Sequence, residues 1–183
     1  DPETGIMYIF SKSDVGRMSM SSRPDRSDMN YINLQSRDAP PLRVDGLPLI
    51  KPPYGQIVAI DLNLGETLWS AIHGETPDSI SKHPALVGLD IPRTGQVGRV
   101  GLLVTKALVI AGDGGAYTNK DGEQEALLRA YNKLTGEQVG SLPMPAQQTG
   151  TPMTYEIDGI QYLAVAISGG NISGRLRVYK NQP

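Results

Sequence analysis

The chain has 183 residues, with 17 basic and 19 acidic side chains, a formal net charge of −2 and no cysteine. That is the length of one ordinary domain, and the absence of thiols excludes disulfide staples, thiolate zinc sites and cysteine nucleophiles. A near-neutral charge without runs of Lys or Arg excludes nucleic acid and anionic membrane as electrostatically driven partners. The first segment, Asp1-Pro2-Glu3-Thr4-Gly5, reads as a turn leading into the strand-like Ile6-Met7-Tyr8-Ile9-Phe10. No start Met precedes it, no signal-peptide pattern follows, and the chain reads as a piece cut from something larger.

No window carries a capped helical stripe, whereas short apolar or alternating runs recur between turn signals, the all-β pattern. Strands are expected near 6–11, 56–62, 66–72, 101–105, 107–112, 127–132, 137–142, 152–157, 160–167 and 175–180. In the second of these, Ile57, Ala59 and Asp61 face one way and Val58, Ile60 and Leu62 the other. Two mostly apolar faces require a sheet covered on both sides, as in a propeller or a large sandwich. The connections alternate in length. Short links fall at Asn63-Leu64-Gly65, Thr105-Lys106, Lys133-Leu134-Thr135-Gly136 and Asp158-Gly159, and long ones at 12–55, 73–100, 113–126, 143–151 and 168–174. In an up-and-down meander, alternate connections share an edge, so the short turns gather on one face and the long loops on the other. The 21 Gly and 14 Pro, well above the ~12% of average usage, supply these turns.

An internal repeat is present. Ala59-Ile-Asp61-Leu-Asn-Leu-Gly65-Glu-Thr-Leu-Trp69 matches Ala130-Tyr-Asn132-Lys-Leu-Thr-Gly136-Glu-Gln-Val-Gly140 in the frame Ala-x-Asp/Asn-x-x-x-Gly-Glu. Asp or Asn accepts backbone N–H bonds as the turn begins, Gly provides the positive φ, and small Ala leaves room for a bulky neighbour, with Trp69 as its filler. The copies lie further apart than the ~40–50 residues of common blade repeats, and the 73–100 loop accounts for the excess.

The frame Ala59-x-Asp61-x-x-x-Gly65-x-x-x-Trp69 resembles the tryptophan-docking motif of the quinoprotein alcohol and glucose dehydrogenases that use pyrroloquinoline quinone (PQQ). Gly150-Thr-Pro-Met-Thr-Tyr155, Asp158-Gly-Ile-Gln-Tyr162 and Ala164-Val-Ala-Ile-Ser-Gly-Gly170 are similar in order and spacing to the last blade of that family, closest to its membrane-type glucose dehydrogenase branch. The resemblance implies an all-β partial β-propeller of four-stranded antiparallel blades, about two and a half in this chain. Residues 1–72 would then form incomplete blades with a long loop, 101–142 one complete blade, and 152–180 strands A to C of the last. Two departures stand out: Gly140 replaces the motif's Trp in the second copy, and Leu64 its usual Thr in the first, so one inter-blade dock is expected to be weakened or lost.

The resemblance further implies PQQ and calcium as cofactors, and a catalytic Asp and calcium ligands upstream of residue 1. It also implies a sugar or polyol substrate, a respiratory quinone or cytochrome as electron acceptor, and a periplasmic location with an inner-membrane anchor outside this chain. The isolated chain would be inactive, and its open blade edges would invite self-association or union with the rest of the propeller. A non-catalytic propeller that binds other proteins is the rival reading. Cofactor contacts are expected at Thr149, Gly150 and Thr151, just before an innermost strand, and at Asp113 and Gly114 in the Gly112-Asp113-Gly114-Gly115 loop. Arg93 and Arg99 are read chiefly as surface residues; Asp90, Asp113, Asp121, Glu123 and Glu125 as solvated loop carboxylates without calcium-loop spacing. His73 and His83 are read as polar loop residues rather than a metal pair. A triad of Ser79, His83 and Asp90 is discarded, because nothing places the serine at a strained elbow.

Overall fold

The computed structural model describes residues 1–16, 19–34 and 42–181. Two compact units are present, Asp14–Lys51 and the combination of Asp1–Ser13 with Pro52–Pro183. In chain order, β1 (Ile6–Lys12) belongs to the larger unit. The smaller unit holds two antiparallel hairpins, β2 (Ser19–Ser21) with β3 (Ile32–Leu34), and β4 (Arg43–Val44) with β5 (Leu47–Pro48).

Three antiparallel sheets make up the larger unit. The first has the order β1, β6 (Gly55–Asp61), β7 (Glu66–Ile72). The second runs β8 (Leu103–Val104), β9 (Leu108–Gly112), β11 (Gln124–Asn132), β12 (Gln138–Met144), with the short β10 (Tyr117–Thr118) paired to the start of β11. The third is β13 (Met153–Ile157), β14 (Ile160–Gly169), β15 (Ile172–Lys180). Every strand read from periodicity is present. Two of the expected long links are corrected. The 113–126 link contains β10 and gives its last residues to β11, and the 168–174 link closes as a turn at Gly170-Asn171, where Gly170 has a φ of 57°.

The middle sheet explains why its strands are apolar on both faces. Val109 and Ala111 of β9 and Tyr131 of β11 pack with Tyr8, Ile57 and Ala59 of the first sheet. Ile110, Ala126 and Leu128 point the other way and pack with Val165 and Ile167 of the third. Successive residues of one strand therefore serve different cores, which suits β-branched and small side chains.

The first repeat copy does what its residues predict. Asp61 Oδ1 accepts the backbone N–H of Asn63 at 2.8 Å and Gly65 turns at φ 72°. Ala59 is paired across the strands with Trp69, whose indole N–H donates to the Lys133 carbonyl at 3.1 Å. The Tyr8 hydroxyl donates to the same carbonyl at 3.2 Å, so the first sheet is latched onto the turn of the second. Gly136 in that turn has a φ of 73° and lies under the indole, where a Cβ would fall 2.5 Å from the ring. The second copy repeats the turn, with Asn132 Oδ1 accepting the Leu134 N–H at 2.8 Å. Its dock is missing among the described residues: Gly140 pairs with Ala130 and no described atom lies within 4 Å of where its side chain would stand.

Candidate functional site

The link that follows β7 carries His73 at its start and Glu75 two residues later. Facing them, the middle sheet presents Arg129 and Tyr131 from β11 and Asp113 just beyond β9. The result is a buried ionic cluster joining the first two sheets. Asp113 is fully buried, and its carboxylate accepts from Arg129 Nε at 2.7 Å, Arg129 Nη2 at 3.1 Å and the Leu127 N–H at 3.0 Å. The remaining guanidinium capacity goes to Glu75 at 2.9 Å and Gln138 at 3.2 Å. Burial disfavours the Arg129 charge, but the bonds and fields of Asp113 and then Glu75 outweigh it and hold the guanidinium protonated more firmly than usual.

His73 closes the cluster. One ring nitrogen lies 3.0 Å from the Gly112 carbonyl, which can only accept, so that nitrogen carries the proton; the other therefore accepts the Tyr131 hydroxyl at 2.8 Å. Burial pushes the His73 pKa down from 6.5, against the field of Asp113, and raises that of Tyr131. A depressed histidine is a stability statement: below pH 6.5 the unfolded chain takes up a proton that the folded chain refuses. Chemical denaturation between pH 8 and 5 is expected to show full stability at the upper end and a decline below 6.5, and His73→Gln is expected to remove that part of the slope. An unchanged slope in the variant would assign the pH dependence elsewhere.

Two expectations are corrected here. Asp113 is not a solvated loop carboxylate, because Arg129 neutralises it inside the protein. His73 is not a polar loop residue; it is 1% exposed and fully bonded. His83 caps the short turn Pro84–Leu86 by accepting the Ala85 N–H. Arg93 is half-buried and donates to Gln138 at 3.0 Å and the Ile72 carbonyl at 2.9 Å, while Arg99 is exposed.

The segment ahead of β13 forms the other half of the site. Gln148 is buried and spans two sheets. Its N–H donates to the Asp113 carbonyl at 2.9 Å, its side-chain oxygen accepts the Gly112 N–H at 2.5 Å, and its side-chain nitrogen donates to the Gly101 carbonyl at 2.9 Å. Next to it, the Thr149 N–H donates to Ala166 at 2.8 Å, and Thr149 and Thr151 are exposed. Thr151 lies against Gly101, and Gly114 packs on Gly98, backbone to backbone, where neither leaves space for a Cβ. Thr151 thus meets the lead-in to β8 at Gly101, and Gly114 meets the same lead-in at Gly98 and Val100, while the Asp113 carboxylate is turned to Arg129. Gln96 adds unmet polarity: its side-chain oxygen is buried beside Gly115 without a partner among the described residues. Glu75, Arg129 and Gln148 carried no separate signal in the sequence, although an arginine inside the apolar run Ala126–Tyr131 marks a buried charge that needs a partner.

Among the described residues, no group of three or more His, Asp or Glu is placed to hold a metal ion, and no helix is long and apolar enough to cross a membrane. The family model for the glucose/ethanol/alcohol dehydrogenase β-propeller domain of PQQ proteins matches residues 4–163. Quinoprotein glucose dehydrogenase A of Acinetobacter calcoaceticus is 32% identical over 124 residues, 68% of this chain and 14% of that protein. The quinoprotein glucose dehydrogenase of Escherichia coli K12 is 32% identical over 128 residues, with the same shares. The glycerol dehydrogenase large subunit of Gluconobacter thailandicus is 30% identical over 140 residues, 73% of this chain and 18% of that subunit. Among solved structures, the quinohemoprotein alcohol dehydrogenase of Comamonas testosteroni superposes with a TM-score of 0.58 at 19% identity, over 91% of this chain and 21% of that one. The chain therefore spans about a seventh of the length of the glucose dehydrogenases it matches. Its stacked antiparallel sheets are those of a partial β-propeller, and the chain belongs to the PQQ β-propeller family of quinoprotein dehydrogenases.

Proposed function

We propose that this chain forms part of a PQQ-dependent dehydrogenase that oxidises a sugar or polyol in the periplasm and passes electrons to a respiratory quinone or cytochrome. The reading is supported by the exposed Thr149 and Thr151 flanking Gly150 ahead of β13, with Thr151 against Gly101, on a chain of this family. PQQ is a planar tricarboxylate, and the residues present suit it: two exposed hydroxyls and the exposed Arg99 offer donors and positive charge to a carboxylate. When bound, the quinone supplies the two-electron acceptor for the substrate's C–H bond. Thr149, Gly150 and Thr151 would hold and orient a carboxylate edge, while Asp113, with its carboxylate spent on Arg129, would take part through its backbone, whose carbonyl holds Gln148. Calcium and the proton-abstracting carboxylate belong in this proposal to the rest of the protein, so residues 1–183 alone are expected to give no turnover. The three sheets are assigned to successive blades. The open position at Gly140 and the exposed Val139, Leu142, Leu176 and Val178 fit union with a further strand of the same propeller.

Dye reduction by the intact protein, stripped of cofactor and given PQQ, calcium and either glucose or glycerol, tests the reading. Turnover is expected to require PQQ. Removing both hydroxyls, with Thr149→Val and Thr151→Val, is expected to raise the PQQ concentration for half-activity about tenfold, as loss of one charge-assisted hydrogen bond would. Absence of PQQ-dependent turnover with a range of alcohols and sugars would favour a non-catalytic, protein-binding propeller instead.

A further inference from the structure

The proposed cofactor rim, Thr149 to Thr151, has one backbone bond of its own, from the Thr149 N–H to the Ala166 carbonyl, and its side chains add none among the described residues. Thr149 and Thr151 are exposed, Gly150 carries no side chain, and Pro152 cannot donate a backbone bond. What precedes them is one buried carboxamide. Gln148 is 3% exposed, and both ends of its side chain are used on a different sheet: the oxygen on Gly112 at the end of β9, the nitrogen on Gly101 just before β8. Gly112 is in turn fixed by a second set of bonds, and Gly101 lies against Thr151 itself. The Gly112 carbonyl accepts from His73, and Asp113, the next residue, is locked by Arg129 and through it by Glu75. The backbone of Gln148 closes the set by donating to the Asp113 carbonyl.

We propose that Gln148 is the positioning residue of the cofactor rim, setting the place of Thr149, Gly150 and Thr151 against Gly101. The proposal rests on the rim's reading as a PQQ contact. A carboxamide is suited to the task because it supplies one donor and one acceptor from a single planar group, matching a C=O on one strand and an N–H on another. No charged or apolar residue of similar size satisfies both. The buried cluster of Glu75, Arg129, Asp113 and His73 then acts as the fixed frame against which Gln148 measures the rim, and displacement by about 1 Å is enough to cost a cofactor contact.

The test uses the intact protein and three variants, with two readouts. Gln148→Met keeps the volume and removes both side-chain bonds. Gln148→Glu keeps the acceptor and regains the donor only when protonated. Ile110→Val, in the core between the second and third sheets, serves as a stability control away from the rim. The first readout, hydrogen exchange without cofactor, is expected to show faster exchange at Gly112 and Thr149 in Gln148→Met and unchanged exchange along β6. The second, PQQ binding followed by fluorescence, is expected to give a Kd on the order of tenfold weaker for Gln148→Met. Gln148→Glu should recover affinity as pH falls through the carboxylate range, and Ile110→Val should bind like the parent. Unchanged exchange at Gly112 and Thr149, or parental affinity in Gln148→Met, would overturn the positioning role even where the parent binds PQQ. A parent that binds no PQQ would instead overturn the reading on which the role rests, and the role with it.

Discussion

Replacing Arg129 by Met is expected to remove about 3–5 kcal/mol of stability, the range for stripping one partner from a buried ion pair. The size follows from what is left behind. Asp113 would keep the Leu127 N–H but lose both guanidinium bonds at full burial, and Glu75 would keep only Arg93, 4.0 Å away, at the edge of the same cluster. Arg129→Lys is expected to recover little, because one ammonium cannot reproduce the fork to Asp113 together with the bonds to Glu75 and Gln138. The double change Arg129→Met with Asp113→Leu is expected to be milder than Arg129→Met alone, since a dry pair removed from both sides leaves no orphan charge. Urea unfolding of the four proteins at neutral pH measures this. A loss below 1 kcal/mol for Arg129→Met would show that Asp113 finds water or another cation when its partner is gone.

The second large effect is expected at Trp69. Its ring covers Gly136, contacts Tyr8 at 5.8 Å between centroids and bonds Lys133, so Trp69→Ala removes most of what latches the first sheet to the turn of the second. The ring is only partly buried, which places the cost near the lower end of aromatic truncations, about 3 kcal/mol. Trp69→Phe, which keeps a ring and loses the indole N–H, is expected to cost about 1 kcal/mol for the bond, plus the smaller ring's lost contact. Thermal unfolding compared across the three proteins gives the order, and equal losses for Ala and Phe would assign the latch to the hydrogen bond rather than to the ring.

The strands were legible because each obeys one rule: runs such as Leu108–Gly112 are apolar on both faces since Val109 and Ile110 feed separate cores. The short turns were legible because Asp61, Asn132 and the following glycines carry local chemistry that needs no distant partner. The family resemblance, resting on the docking frame and residues 150–170, agrees with the family model over residues 4–163. What the sequence concealed was long-range pairing. Asp113 looked like loop charge because its partner stands 16 positions on, inside a strand, and a second partner of that guanidinium, Glu75, belongs to another sheet. His73 looks like a loop residue in the sequence for a related reason: it follows β7 directly and is buried by Tyr131 and Gly112 of the neighbouring sheet, which periodicity along one strand does not report. Gln148 was passed over beside Thr149, since an amide in a polar stretch gives no hint that two glycine backbones await it.

The central claim, that the rim of Thr149, Gly150 and Thr151 ahead of β13 faces the quinone, is tested most directly by the structure of the intact protein with PQQ bound. The expected result is a cofactor carboxylate within hydrogen-bonding distance of Thr149, Gly150 or Thr151, with the Gln148 side chain still bonded to Gly101 and Gly112. A cofactor bound on the short-turn face, or one that leaves all three of those residues without contact, would contradict it.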